Sequence, residues 1–537
     1  MRKSPAYFFA TAPALYLTTA FATGIAFRLY SHSKWCWLLP MGFLGLACLR
    51  HINFVRWAIV LAMACLLGIL RVIWAELPTG DNYRQFLPAD LTSAELLLVI
   101  HDAPLLESSL VALDTGRGQV TADILAIQTI SDDIPHPASG FLALTSPDWE
   151  VRQELRTLKP GDTLCAQGVL APLQLDAPLE AIYSNYLRSR GVFHQFEVLE
   201  FTRMACPPPC AMQQLRLALR RLRVAIAKRL IQGIDSPDAA RLALALGLGM
   251  SEFMPRESRQ RQVVSGTIHV FAISGMHIGM VTLFLAFLLR WSGLPLKWQW
   301  WLLALLTAGY VLLTGSSISS LRALSMVWLA LYATQRYRRA AWLNALGFAG
   351  GLALLISPWQ LLDLGFLYSH LTVLVLLLSA PVVQCHSKLL AERNAWLPRE
   401  LRPRHRTKLL QWFVGGLEVS LIAWLGNFGL AMHLNPQVSW GAPLLNLPLG
   451  ILVALALALC PLRLLLGVLL PYYDRLWAAT LELVLRLTEA VAESGHHSAF
   501  AYMHPLCPTW AMLCYYCGFF AILLYFYNMF NINKLRY

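Results

Sequence analysis

The sequence predicts a polytopic α-helical membrane protein with one inserted, extracytoplasmic small β-barrel domain. Three observations carry this. Hydrophobic residues make up 57% of the 537 positions and fall in long runs, too apolar for an ordinary soluble protein. Residues 76–210 change texture to short alternating runs broken by turn residues. Basic residues cluster between the apolar runs, as cytoplasmic loops do. Four regions follow: N-terminal transmembrane helices (1–75), the β-domain (76–210), a basic amphipathic helix with a connector (211–265), and a membrane core (266–537).

Met1-Arg-Lys precedes an apolar run at residues 7–30, read as an uncleaved anchor because no small-residue cleavage site follows. Further runs occupy residues 35–49 and 54–75, separated by Arg50, His51 and Arg56. With the N-terminus inside, three crossings put the insert outside the cytoplasm. Within it, residues 94–100, 120–127, 163–169 and 192–198 read as strands, and Pro160-Gly161-Asp162 as a turn. Cys165, Cys206 and Cys210 lie in the insert; outside the cytoplasm two of them can pair, Cys165 with Cys206 or Cys210.

Residues 211–231 form an amphipathic helix. Leu215, Leu219, Leu222, Ile226 and Leu230 make its apolar stripe, and Arg216, Arg220 and Arg223 lie among the cations of its other face. Such a helix lies on anionic headgroups, or collects phosphates at the rim of a channel. The net charge of +13 fits both membrane topology and a polyanionic substrate.

The stretch from Gly266 to Gly279 organises the rest. It is surrounded by apolar residues, yet holds His269, Ser274, Gly275 and His277 at bilayer depth. Polar groups in hydrocarbon cost several kcal/mol, roughly, unless partnered or facing water. On a continuous helix Ser274 and His277 share a face, and His269 is rotated from His277 by about 80°. Gly275 and Gly279 make a small-xxx-small pair for close helix packing. The spacing does not suit a metal site, and no metal or cofactor is expected.

A second polar group follows Trp301–Leu313. Gly315, Ser316, Ser317, Ser319 and Ser320 break the helix, and Arg322 opens the next apolar run. An arginine there must snorkel, pair or line a cavity, and its fork suits a phosphate. Residues 341–356 and 364–383 are further crossings, with Asp363 and Ser369 between and beside them. A basic loop at residues 386–408 reads as cytoplasmic. Residues 411–432 cross again and carry Asn427. Asn446-Leu-Pro448 reads as a broken helix, and such breaks line a cavity or lie within protein. Residues 451–470 and 510–530 complete the apolar runs, with an amphipathic segment at 477–491.

These residues carry a resemblance. His269-Val-Phe-Ala-Ile-Ser-Gly-Met-His-Ile-Gly279 resembles the signature H-L-L-A-I-S-G-L-H-V-G of ComEC-type competence DNA-uptake channels. The Thr314–Ala323 stretch is similar to that family's T-G-x-S-x-x-x-R-A pattern, and Pro358, Asp363, Gly365, Phe366 and Ser369 match a third. Leu367 and His370 depart from it, where the family has glutamine and phenylalanine. Leu158–Asp162 and Tyr186–Gly191 resemble the OB-fold-like domain of these proteins. The resemblance implies an inner-membrane, multi-pass channel for single-stranded DNA, lined by the polar residues above. Its implied partners are the bilayer, a DNA receptor, a cytoplasmic ATPase or helicase-type competence protein, and a homo-oligomer.

No His-x-His-x-Asp-His run of the kind found in metallo-β-lactamase-like domains occurs, so no hydrolase activity is expected. The alternative reading is a transporter or flippase of another anionic solute or lipid. An intramembrane enzyme using Ser274 and His277 is the third, disfavoured because no orienting carboxylate lies nearby in sequence.

Overall fold

The computed structural model describes residues 12–31, 52–76, 82–83, 92–102, 120–129, 136–158, 161–173, 178–204, 211–271, 273–338, 341–396, 405–434, 437–495, 501–503 and 507–533. The expected crossing at 35–49, the Asn435-Pro436 pair, Cys206 and Cys210 lie outside these residues, as does the side chain of Arg216.

In chain order the helices begin with α1 (Pro13–Ser31) and α2 (Ile52–Glu76). Strands β1 (Thr92–Asp102), β2 (Val120–Thr129), β3 (His136–Pro137) and β4 (Phe141–Thr145) follow, then α3 (Trp149–Arg156), β5 (Thr163–Pro172), α4 (Pro178–Ser189) and β6 (Val192–Met204). Next come α5 (Ala211–Ile231), α6 (Pro237–Leu248), α7 (Arg256–Val264), α8 (Ile268–Phe271), α9 (Gly275–Arg290), α10 (Leu296–Leu313) and α11 (Ile318–Gln335). Then α12 (Trp342–Ile356), α13 (Leu364–Trp396), α14 (His405–Leu434), β7 (Gln437–Ser439), α15 (Ala442–Leu469), α16 (Asp474–Ser494), β8 (Ala501–Met503) and α17 (Thr509–Asn533) close the series. Two compact units result: Met1–Arg229 with Trp328–Leu367, and Leu230–Val327 with Tyr368–Tyr537.

In the first unit, small residues let α1, α2 and α12 approach closely. A methyl group at Gly24 would meet the Cys65 carbonyl oxygen at 2.0 Å, and one at Gly347 would meet the Leu15 nitrogen at 2.4 Å. Thr18 Oγ1 donates to the Gly347 carbonyl (2.6 Å), and Arg71 donates to the carbonyls of Leu355 and Ile356, both at 2.8 Å. Arg71 thereby satisfies carbonyls that the end of α12 leaves without helical partners.

The β-domain is a closed five-stranded barrel. β1 pairs with β2 and β5, β2 with β4, β5 with β6, and the parallel pair β4–β6 completes the ring. β3 is appended to β2. Closure removes free sheet edges. Alternate residues point inward, so Leu96, Leu98, Ile100, Leu142, Leu164, Ala166, Phe196 and Val198 form one apolar core. Gly161 takes a φ of 97°, a left-handed conformation suited to glycine, and ties the turn before β5 to Ile100. The four expected strands form and run longer than expected. β4, only five residues, was too short to stand out.

Cys165 corrects the disulfide expectation: it is a free thiol. Its Sγ donates to Glu95 Oε1 across the β1–β5 pair (2.8 Å). Burial, then the hydrogen bond and charge of Glu95, push this thiol up to about 11.

The barrel rests on the Pro358–Leu362 turn that joins α12 to α13. The Trp359 ring meets Phe193 edge-on at 5.3 Å and lies under the Arg188 guanidinium at 5.2 Å. Asp363 accepts from Ser189 Oγ (3.2 Å) and from the Phe366 amide (3.1 Å).

Among the described residues, five helical segments are long and apolar enough to cross a membrane: Leu296–Leu313, Leu364–His386, Gln411–Leu434, Ala442–Leu469 and Thr509–Tyr527. Val60–Ala75, Gly275–Arg290 and Trp342–Ile356 are shorter apolar helices. In the second unit α15 packs against α9, α14 and α16. α17 docks on α14 through the Tyr515 hydroxyl, which donates to the Leu425 carbonyl (2.7 Å). Trp291, Trp298 and Trp301 are exposed around the α9–α10 turn, as interfacial tryptophans are.

The apolar stripe of α5 differs from the expected one. Val224, Ala227 and Leu230 are buried, while Leu215 and Leu222 are exposed. Among the described residues of the helix, the fully buried side chains all lie in its second half.

Candidate functional site

The stretch at residues 266–279 is not one helix. Gly266 takes a φ of 73°, α8 is a single turn, and Ser274 is extended (φ −117°, ψ 171°) before α9 starts at Gly275. The expectation that Ser274 and His277 share a helical face is therefore corrected: Ser274 is the residue that caps α9. His269 belongs to a different element from His277. Glycine and serine favour non-helical backbone and release the chain here.

His277 Nδ1 accepts from the Ser274 amide (3.3 Å) and lies 2.9 Å from Ser274 Oγ. An Nδ1 that accepts an N–H carries the lone pair, which assigns the neutral ring's proton to Nε2 and makes the serine hydroxyl a donor. Nε2 makes no well-formed hydrogen bond, and the Val270 carbonyl is close to the ring. The side chain is 0% exposed. His269, by contrast, is exposed.

Thr314, Gly315 and Ser316 turn the chain from α10 into α11. Gly315 and Ser316 take φ values of 88° and 51°. Left-handed backbone at a serine costs about 1 kcal/mol, so the tight reversal is held against local preference. Ser316 and Thr314 bond back to the Val311 carbonyl. Ser317 Oγ reaches the Ile273 carbonyl (3.5 Å) and Ser320 Oγ (3.0 Å). Ser319 Oγ pairs with Ser369 Oγ of α13 (2.8 Å).

Arg322 sits within this layer. It is 5% exposed, and its Nη2 makes one long contact with Ser319 Oγ (3.5 Å). Nε and Nη1 are buried without a hydrogen-bond partner. No carboxylate interacts with it among the described residues. A methyl group at Gly275 would come within 2.9 Å of Nη2, so the guanidinium lies over the first residue of α9. Gly275 is needed for that approach. Gly279 has nothing within 4 Å, so the expected small-xxx-small helix contact is corrected to a seat for Arg322 on one side only.

The other expected site residues divide. Asn427 Nδ2 donates to Thr372 Oγ1 (2.7 Å), a polar contact between α13 and α14, and its Oδ1 is buried without a partner. Asn446 Oδ1 is likewise buried and unpartnered. The break expected at Asn446–Pro448 is corrected: α15 runs through Pro448 and Pro461 without interruption. A proline near a helix start removes one hydrogen bond, and the packing against α9 and α14 outweighs it. Asp363 caps α13 and holds the barrel helix α4, so its carboxylate has a structural use. Arg220 and Arg223 are half-buried on α5.

Sequence reasoning missed Thr372, Tyr310 and Arg463. Tyr310 Oη is buried without a partner. Arg463, 2% exposed near the end of α15, donates to the carbonyls of Leu230 and Gln232 at the C-terminal end of α5 and lies 4.0 Å from Asp474. It lies six residues before the helix end, and no motif in the sequence marks it. Arg463 is spent on backbone carbonyls; Arg322 is not.

A family profile described as Competence protein matches residues 246–529, more than half of the chain. ComE operon protein 3 of Bacillus subtilis (strain 168) is 27% identical over 236 residues, 43% of this chain and 29% of that protein. The Escherichia coli (strain K12) protein described as "Uncharacterized protein YcaI" is 37% identical over 110 residues, 19% of this chain and 14% of that one. The matched segments thus span less than a third of either relative. No solved structure matches significantly. The matched region contains α8 to α11, with the buried His277 and Arg322: the chain belongs to the competence protein family.

Proposed function

We propose that the protein passes single-stranded DNA across the inner membrane into the cytoplasm during natural transformation. The observation that carries this reading is the uncompensated polar layer between α9, α11 and α13. A buried arginine with two idle nitrogens costs about 3 kcal/mol in a membrane helix, and an apolar side chain there would cost nothing. A protein that keeps such a group has an anionic client for it. The layer is shut, because His277 and Arg322 are out of solvent's reach, so passage needs α9 and α11 to part.

Packing and charge together support an extracytoplasmic barrel. The barrel rests on the turn between α12 and α13, and the other ends of these helices lead to Arg336 and Arg338 and to Arg393, Arg399 and Arg402. Basic loops stay in the cytoplasm, which leaves the barrel on the far side. Its ring order, β1-β2-β4-β6-β5 closing on β1 with one parallel pair, supports an OB-fold-like reading, a fold that often handles single strands. Arg216, Arg220 and Arg223 of α5 would gather phosphates.

The Ser274–His277 pair is read as a helix cap rather than a catalytic dyad. Nδ1 faces both the backbone N–H and the hydroxyl of Ser274 at the start of α9, and no carboxylate among the described residues acts on the ring to orient it as a base. We assign the protein no enzyme activity, and the energy for transport falls to an ATPase or helicase-type partner. A DNA receptor and further copies of the chain are the other partners of this reading.

A clean deletion, scored separately for surface binding of labelled DNA and for its entry into the cytoplasm, tests the proposal. Loss of entry with binding retained is expected. Normal entry would refute it and leave transport of another anionic solute or lipid as the better account.

A further inference from the structure

We infer that Arg322 and the N-terminus of α9 form one phosphate subsite, a single-anion seat built into the closed layer. The inference rests on the DNA-transport reading for the identity of its natural occupant, but not for its existence.

Two independent features meet here. α9 has 16 residues, and the amides of Gly275 and Met276 in its first turn have no carbonyl acceptor among the described residues. Such an end carries a partial positive charge. Arg322, 95% buried, places its guanidinium over Gly275 with Nε and Nη1 idle. Two positive ends are thus pressed together with no carboxylate among the described residues to separate them. A structural arginine would be arranged the other way: over carbonyls, as Arg463 is. An anion between the two satisfies both at once. The surrounding hydroxyls of Ser319, Ser369 and Ser274 are donors and acceptors without charge, suited to the remaining oxygens of a phosphate.

The chemistry fits a tetrahedral oxyanion better than a carboxylic acid in a peptide or a nucleobase edge. A guanidinium fork matches two phosphate oxygens, and the amides of a helix start take a third. Inorganic phosphate and a phosphodiester of a DNA strand share this chemistry. In transit each phosphodiester would occupy the seat briefly, so that the strand's own charge replaces the missing counter-ion.

The full-length protein in lipid nanodiscs tests this with three probes: inorganic phosphate, an oligothymidylate, and the same oligothymidylate with a neutral methylphosphonate backbone. Wild-type protein should gain thermal stability with phosphate and bind the charged strand about tenfold to a hundredfold more tightly than the neutral one. Arg322→Met should lose both effects while melting at a higher temperature than wild type without anion, because an uncompensated charge has been removed. A merely structural arginine would give the reverse, a lower melting temperature. Gly275→Ala, which displaces Nη2, should lose the anion effects without changing the charge. If Arg322→Met and Gly275→Ala both retain the preference for charged backbone, the subsite is wrong and DNA binding stands. If phosphate binds in an Arg322-dependent way while the charged strand does not bind at all, the subsite stands and the DNA reading fails. Phosphate stabilising wild type and Arg322→Met equally would overturn the subsite.

Discussion

The barrel and the polar layer of α8–α11 solve opposite problems with the same chain. In the barrel, alternating inward side chains close an apolar core, and the thiol of Cys165, on the opposite face of β5 from Leu164 and Ala166, has a carboxylate to donate to. In the polar layer, backbone is bent into left-handed conformation at Ser316, and Nε and Nη1 of Arg322 are idle; Tyr310 of α10 also buries a hydroxyl oxygen with no partner. Native interiors hold few such groups. The barrel is built for stability, and the layer gives up stability to hold groups ready for something that is not yet there.

The largest effect that tests this contrast is functional. Arg322→Ala should lower transformation by about two orders of magnitude or more, since two charge-assisted hydrogen bonds are lost, while membrane insertion stays normal. Counting transformants beside a membrane-fraction immunoblot measures both. Normal transformation would erase the distinction between the regions.

In the barrel the order should reverse. Phe196, fully buried, is a core residue, and Phe196→Ala should cost about 3–5 kcal/mol of barrel stability. Urea unfolding followed by tryptophan fluorescence gives the value. A loss under about 1 kcal/mol would mean the barrel core is not the close-packed body described.

A smaller effect lies where the barrel meets the α12–α13 turn. Asp363→Ala removes the cap of α13 and the Ser189 bond together, and about 1–2 kcal/mol is expected. Limited proteolysis near residues 357–363 should then speed up. Unchanged cleavage would show that the barrel is held by Trp359 alone.

The smallest effect concerns Cys165. With its thiol pushed up to about 11, the thiolate fraction at pH 8 is about a hundredfold below that of a free cysteine. Iodoacetamide labelling should be slow at pH 8 and rise steeply toward pH 11. Because the folded thiol is the weaker acid, any stability it lends is present below the unfolded value and lost as pH climbs through about 11. Glu95→Gln should speed labelling. Rapid labelling of the native protein at pH 8 would remove the Cys165–Glu95 bond from the description.

Much of this was legible in the sequence, for physical reasons. Barrel strands announce themselves through period-two alternation, and β1, β2, β5 and β6 fall where it predicts. The apolar runs give the membrane helices, and the isolated polarity of His277 and Arg322 gives the layer. Hydropathy could not say that the Gly266–Gly279 stretch is two elements, because both are apolar and only backbone angles at Gly266 and Ser274 divide them. It read Pro448 as a break, because the compensating contacts of α15 come from residues far away in the chain. It also could not separate Arg463 from Arg322. Their difference lies in which backbone groups each meets, Leu230 and Gln232 carbonyls for one and the Gly275 end of α9 for the other.

The central claim, that a DNA strand travels by this layer, is tested most directly by photo-crosslinking during uptake. A benzophenone amino acid replaces His269, exposed on α8, or Leu283, 72% exposed on α9. Labelled DNA entering competent cells should crosslink to position 269 and not to position 283. Equal labelling at both positions, or none at 269 while uptake proceeds normally, would contradict the account.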